Sequence, residues 1–255
     1  MDVRQGRWNS EAGWKWTADG DDCAVQLVLA FGAQAALVDR APLEELARKF
    51  PNAQVVGCST EAEIEGAQVS EGAIVATAIR FEHTSVHVTQ VRIVPGRSNH
   101  EAGVQLAELM AKPELAHLFV ISSAVDLELG ELTKCLTASL PRHVALTGAV
   151  AHDVCFHGRP MANALVAIGF YGQRLHIGYG ALDGKDPFGA ESRHGFGRRM
   201  PELAILTSSA NSKRAPTQKA EEEARSVRQM LGPNVALTGF SARASMTAVT
   251  TLREE

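Results

Sequence analysis

The chain has 255 residues, 45% of them hydrophobic and 21% charged, with a formal net charge of −4. That is enough apolar sequence for a large core, and the weak negative charge gives no general pull towards nucleic acid or anionic membrane. No apolar run approaches the roughly 20 residues of a membrane helix, and Met1 to Trp16 lacks the basic-then-apolar plan of a signal peptide, so the expected location is cytoplasmic.

Residues 1–22 read as a polar N-terminal segment with three tryptophans. A first buried strand follows at Val25 to Gly32, VQLVLAFG, and then a helix, Pro42 to Phe50, with Pro at its first position. Pro51 ends that helix, and a second strand runs through QVVGC, Gln54 to Cys58. A third strand is expected at Gly72 to Arg80 and a fourth at Ser85 to Ile93. Glu82-His83-Thr84 is the expected turn of a hairpin between them. Ser98 to Lys112 reads as an extra helix, with Ser98 and Glu101 at capping-box spacing.

The same order then recurs. A strand at His117 to Ala124 precedes a helix from Leu127 to Leu140, with Asp126 as a plausible cap. The strand through VALTG follows, Val144 to Gly148. Strands at Asn163 to Phe170 and Arg174 to Ala181 are joined in expectation by the turn Tyr171-Gly172-Gln173. Asp183 to Pro201 is rich in Gly and charge and reads as a loop. A third copy has its first strand at Leu203 to Ala210. Its helix, Thr217 to Leu231, carries Ala220, Ala224 and Val227 on one face. A second VALTG spans Val235 to Gly239, and a last strand runs from Ser245 to Leu252.

Helical period between two continuous apolar strands argues a right-handed β-α-β crossover with parallel strands. The expected class is therefore α/β, with mixed sheets built from three diverged β-α-β-β repeats and helices packed on the sheets. Two repeats fill residues 23–182, 183–201 link the halves, and 202–255 hold the shortened third.

Ligands in open α/β sheets bind beyond the carboxyl ends of the parallel strands. The glycine-ended strands deliver three loops to that edge: Gly57-Cys58-Ser59-Thr60-Glu61, Gly148 to Asp153, and Gly239-Phe240-Ser241-Ala242-Arg243. Ser122-Ser123 and Ser208-Ser209 end the first strands of copies two and three at the same edge. Small residues allow close approach, while free amides, hydroxyls and Arg243 suit an anion. The expected pocket has two acidic walls and one basic wall, which favours a small zwitterion.

At these loops the sequence resembles the FIST family of bacterial sensory domains. Val55 to Ile64 is similar to the family's VVGCSTAGEI stretch, and Leu146 to Asp153 resembles its LTGGAAGD segment. Thr207 to Arg214 is similar to a Cys-x-Gly-Arg entry, with Ser209 and Arg214 near the cysteine and arginine. Leu237 to Phe240 resembles the start of the last motif, whose following acidic stretch and longer loop are shortened here. The resemblance implies a non-catalytic domain that binds a small ligand, an amino acid being one proposal. It would signal in trans to a histidine kinase or a cyclic-di-nucleotide enzyme. The implied ligand set is Gly57, Cys58, Ser59, Thr60, Glu61, Glu63, Ser122, Ser123, Gly148, His152, Asp153, Ser208, Ser209, Arg214, Gly239 and Arg243, with no catalytic or metal-binding residue. No cofactor is expected, although some members resemble haem-based nitric-oxide sensors.

Two other chemistries have candidates. Haem needs an axial ligand in an apolar slot, and His152 and His157 flank the second loop. An enzyme of hydrolase or transferase type would use Cys58 as nucleophile, with Lys213, Arg214, Glu61 and Glu63 in supporting roles. No Gly-x-Ser-x-Gly elbow, P-loop or C-x-x-C pair is present. The basic cluster from Arg193 to Arg199 reads as solvated loop charge rather than a nucleic-acid surface.

Overall fold

The computed structural model of the protein describes residues 1–93, 99–123, 129–180, 200–209, 215–247 and 249–255. The N-terminal part runs β1 (Asp2–Asn9), β2 (Gly13–Trp16), β3 (Leu27–Ala33), α1 (Gln34–Val38), α2 (Ala41–Lys49), β4 (Gln54–Thr60), β5 (Glu63–Glu65), β6 (Gln68–Ser70), β7 (Ile74–Arg80) and β8 (Ser85–Arg92). The middle part runs α3 (Asn99–Met110), β9 (Leu115–Ser122), α4 (Leu129–Ser139), β10 (Ala145–Val150), β11 (Val154–Phe156), β12 (Arg159–Met161), β13 (Ala164–Tyr171) and β14 (Leu175–Gly180). The last part holds β15 (Leu203–Ser209), α5 (Pro216–Leu231), β16 (Ala236–Ala242), β17 (Ala244–Ser245) and β18 (Val249–Glu254). The expected caps Ser98 and Asp126 lie outside the described residues, as do Lys213, Arg214 and nearly all of the expected loop from Asp183 to Pro201.

The three repeats each build one sheet around a parallel pair. β3 pairs β4, β9 pairs β10 and β15 pairs β16, all parallel. The third strand of each copy, β7, β13 or β18, lies antiparallel on the other side of the first. Crossover helices return the chain between the parallel strands. In α5, Ala220, Ala224, Val227 and Leu231 form a buried stripe at helical spacing. It packs on Ala204, Leu206 and Leu237 of the sheet beneath.

The outer strands are exchanged between copies, which corrects the expected hairpins. The sheet orders are β12-β11-β4-β3-β7-β1-β2, β17-β10-β9-β13-β8 and β14-β18-β15-β16-β5-β6. β8 does not fold back on β7, because β3 and β1 already flank β7 on both edges. It joins β13 of the second copy over eight residues, from Ala164↔Arg92 to Tyr171↔Ser85. For the same reason β14 leaves β13, which lies between β9 and β8, and pairs β18 of the third copy. The place of a fourth strand in the first sheet is taken by β1, so the segment read as a polar N-terminus is part of the sheet. Its Trp14 and Trp16 stack with centroids 5.7 Å apart, and Trp16 meets Phe50 edge-on.

Short strands complete the exchange. β11 and β12 of copy two extend the first sheet, β17 of copy three extends the second, and β5 and β6 of copy one extend the third. Each copy thus lends backbone to a neighbour, and the three lie around one core. That core takes the inner faces of all three sheets, including Leu29, Phe31, Cys58, Phe119, Ile121, Ala149, Leu203, Ile205 and Phe240. Phe31 and Phe240 bring copies one and three together at 4.5 Å between ring centroids. Separate clusters fill the space under the helices on each outer face.

Candidate functional site

The repeated glycine has a packing cause. A Cβ on Gly57 would lie 1.6 Å from the Ala30 carbonyl oxygen, one on Gly148 would lie 2.0 Å from that of Val120, and one on Gly239 would lie 2.1 Å from that of Leu206. The partners are register neighbours across the three parallel pairs. Gly57, Gly148 and Gly239 therefore set how closely the parallel strands approach, and each glycine's face is closed by its neighbour's carbonyl.

Counting from these glycines aligns the three loops. The residues two positions on are Ser59, Val150 and Ser241; four positions on come Glu61, His152 and Arg243. At the first of these positions each copy pairs with the next. The Ser59 amide donates to the Asp153 carbonyl at 3.0 Å, the Ser241 amide to that of Ala62 at 2.9 Å, and Val150 faces Ala244 in the ladder. These three seams turn the loop after each strand across the end of a neighbouring one.

The exposed residues four positions on consequently meet. Ser59, Glu61, Ala151, His152, Ser241, Ala242 and Arg243 line a shallow pocket enclosing about 220 Å³, part of it open to solvent. Every copy contributes. His152 Nε2 stands 3.8 Å from Glu61 Oε1, with both side chains substantially exposed. The walls differ from the expected two acids and one base. Asp153 Oδ2 accepts from Gln34 Nε2 at 2.9 Å, so the second copy presents an imidazole to the pocket.

The other expected site residues are placed as follows. Ser59 accepts from the Asp153 amide at 2.8 Å through Oγ, which holds the first seam while the residue still lines the pocket. Thr60 is buried, and its Oγ1 takes the amides of Ala62 at 3.1 Å and Ser241 at 3.0 Å. Ser123 is buried; its hydroxyl donates to the Met161 carbonyl and accepts from the Ala164 amide at 3.2 Å. Ser122 is buried at the end of β9. Ser208 is buried beside Ser241, and the Ser209 carbonyl takes Lys219 Nζ at 2.9 Å. Arg214 lies outside the described residues.

Two carboxyl and thiol groups are withdrawn from the pocket. Cys58 is 0% exposed in the central core, and burial, with Cys155 nearby, pushes its thiol well above the ordinary value. A nucleophile needs an accessible thiolate, so the structure gives the Cys58 chemistry no support. Glu63 is also fully buried, on the inner face opposite Phe240. Burial pushes its carboxyl up to about 8, against a backbone hydrogen bond from Ala73. His152 and His157 do not frame one slot. The His157 amide donates to Val55 at the start of β4, whereas His152 stands beyond its end, and the His157 backbone has φ 48° in the β11–β12 turn. The small, polar pocket does not fit haem. No group of three or more metal-ligating side chains occurs among the described residues.

The expected set omits three pocket residues, Ala151, Ser241 and Ala242, and of these Ser241 has the polar side chain. Its alignment with Ser59, two residues after the repeated glycine, is the signal in the sequence that finds it.

The sequence model of the FIST N domain matches residues 26–193, well over half of the chain. The chain belongs to the FIST family. FIST domains are sensory domains of signal transduction. The match covers the first two repeats, and the ring of exchanged strands shows how the third completes the same body. A search of curated proteins finds no match to this FIST chain. Among solved structures, the cyanuric acid hydrolase of A. caulinodans is similar over 92% of this chain and 91% of its own, with 8% identity and a TM-score of 0.47. A likeness at that level assigns no chemistry to the FIST protein.

Proposed function

We propose that this chain is a small-ligand-binding sensory domain without catalysis, and that its ligand occupies the pocket where the three repeats meet. The observation that carries the reading is the convergence of Glu61, His152 and Arg243, one from each copy at matched positions, on a single hollow. A carboxylate, an imidazole and a guanidinium offer complementary contacts to one small molecule with both an anionic and a cationic or donor group. An amino acid has that character. The hollow is shallow and partly open to solvent, which suits a ligand of few atoms held by its charged and polar groups.

A ligand touching all three walls stabilises one arrangement of the seams. Differential affinity for that arrangement is what shifts the population and alters a partner. The partner is a signalling enzyme acting in trans, a histidine kinase or a cyclic-di-nucleotide enzyme, in the cytoplasm. Among the described residues no helix is long and apolar enough to cross a membrane, which fits that placement.

The test is a thermal-shift screen of the full chain against amino acids, small carboxylic acids and haem. A pocket ligand raises the melting temperature of the wild type and not that of Arg243→Ala. A shift with haem alone, accompanied by a Soret band, would replace this reading.

A further inference from the structure

Ser208 and Ser241 face each other in register at the ends of β15 and β16, 1% and 6% exposed. Neither hydroxyl has a hydrogen-bond partner among the described residues. A buried hydroxyl without a partner is costly, so two side by side offer unspent donors to a polar group that reaches them. The matching pairs in the other copies are Gly32 with Ser59 and Ser122 with Val150, and Ser59 already accepts from the Asp153 amide.

The face of these hydroxyls is fixed by strand alternation. Ser208 follows Ala204 and Leu206 on the side that packs under α5. The first turn of α5 stands over the strand ends, since Lys219 Nζ reaches the Ser209 carbonyl at 2.9 Å. Among the described residues that end of the helix has no side-chain cap. Ala215 at the cap makes no side-chain hydrogen bond, Pro216 follows, and the first turn holds no acidic residue. The Thr217 and Gln218 amides thus have no intrahelical acceptor, and the helix end carries partial positive charge. The neighbouring carboxylate, Glu71, is engaged by the Thr217 hydroxyl.

We propose that Ser208, Ser241 and the first turn of α5 form an oxyanion subsite that seats a carboxylate or phosphate group. The inference rests on the pocket reading above, because Ser241 also lines that pocket. It extends the pocket from Ser241 towards the first turn of α5 and assigns the anionic end of the ligand to the third copy. Hydroxyl donors and helix-end amides suit an oxyanion, and Arg243 at the mouth attracts it.

The experiment titrates the full chain with sodium acetate and with sodium phosphate at constant ionic strength held by chloride, read by melting temperature and by calorimetry. One of the two anions stabilises the wild type beyond chloride, and which one distinguishes carboxylate from phosphate. Ser208→Ala melts at or above the wild-type temperature without anion, because it removes an unpartnered hydroxyl, and loses at least tenfold in anion affinity. Ser241→Ala is the second variant and behaves alike. No anion-specific shift in the wild type overturns the proposal. So does an anion affinity that survives both substitutions. If a screening ligand's shift is lost in Arg243→Ala but unchanged in Ser208→Ala and Ser241→Ala, the pocket stands and the subsite falls.

Discussion

Glu61 and His152 belong to different repeats and lie 91 residues apart in the chain, yet Nε2 of His152 stands 3.8 Å from Oε1 of Glu61. What brings them together is the neighbouring seam, in which Ser59 and Asp153 exchange backbone and hydroxyl contacts across a separation of 94 positions. The two side chains are exposed, so their attraction contributes little to stability. Glu61→Gln is expected to leave the melting temperature almost unmoved and to weaken ligand binding, as calorimetry on the screening ligand would show. A large loss of stability would mean that the pair serves the fold instead.

The repeated glycines carry the opposite expectation. Alanine at Gly57, Gly148 or Gly239 drives a Cβ into a backbone carbonyl that no rotamer change can relieve. Each substitution should cost at least about 2–3 kcal/mol in urea unfolding, the upper range of overpacking effects. Gly130→Ala, in α4 with open space around it, is the control and should be neutral or slightly stabilising.

One hydroxyl reinforces the seam between copies one and three, which the β5–β16 pairing and the Ser241 amide on the Ala62 carbonyl also hold. Thr60 Oγ1 accepts from the amides of both Ala62 and Ser241. Thr60→Val keeps the shape and leaves these buried donors without that acceptor, a loss of about 1–3 kcal/mol. Amide exchange should quicken at Ala62 and Ser241 more than in β9 and β10 if the damage is local to this seam.

Two buried groups set opposite limbs of the pH profile. Burial lowers His117 from 6.5 to about 3, and it stays neutral against Thr147 Oγ1 at 2.8 Å. The unfolded chain binds the extra proton between those values, so stability falls as pH drops from 6.5 towards 3. Glu63, raised from 4.5 to about 8, binds its proton in the folded state; its contribution is full below 4.5 and is lost as pH rises through 8. Stability should therefore peak between about pH 4.5 and 6.5. Asp22, held low by Lys49 and Arg4 despite burial, steepens the acid limb. Glu63→Gln flattens the alkaline limb. His117→Leu with Thr147→Val copies the apolar pair Leu27 and Val56 of the first repeat and flattens the acid one.

The β-α-β cores were legible because their signals are local. The run VALTG marks a strand whose glycine must admit a carbonyl, and the Ala220-Ala224-Val227 stripe marks a helix face. The exchange of strands was not legible, because nothing in residues 72–93 distinguishes a hairpin from two strands that part. The turn at Glu82 and His83 is held instead by Glu254, whose carboxylate takes both amides from 172 and 171 residues away. The short strands β5, β6, β11, β12 and β17 are too brief for a periodic pattern, yet they close the ring. In the pocket, spacing after the glycine found Glu61, His152 and Arg243. It did not reveal that Cys58 and Glu63 point to the core, since strand alternation fixes a face only once the sheet's partner is known.

The most direct test of a pocket shared by three repeats is ligand-induced melting-temperature shift in Glu61→Gln, His152→Ala and Arg243→Ala, one variant per copy, with the amino acid and small-acid panel. A single shared pocket predicts a compound whose shift in the wild type is reduced in all three variants while their unliganded melting temperatures stay near the wild type. A compound whose shift survives any one of the substitutions unchanged would contradict it.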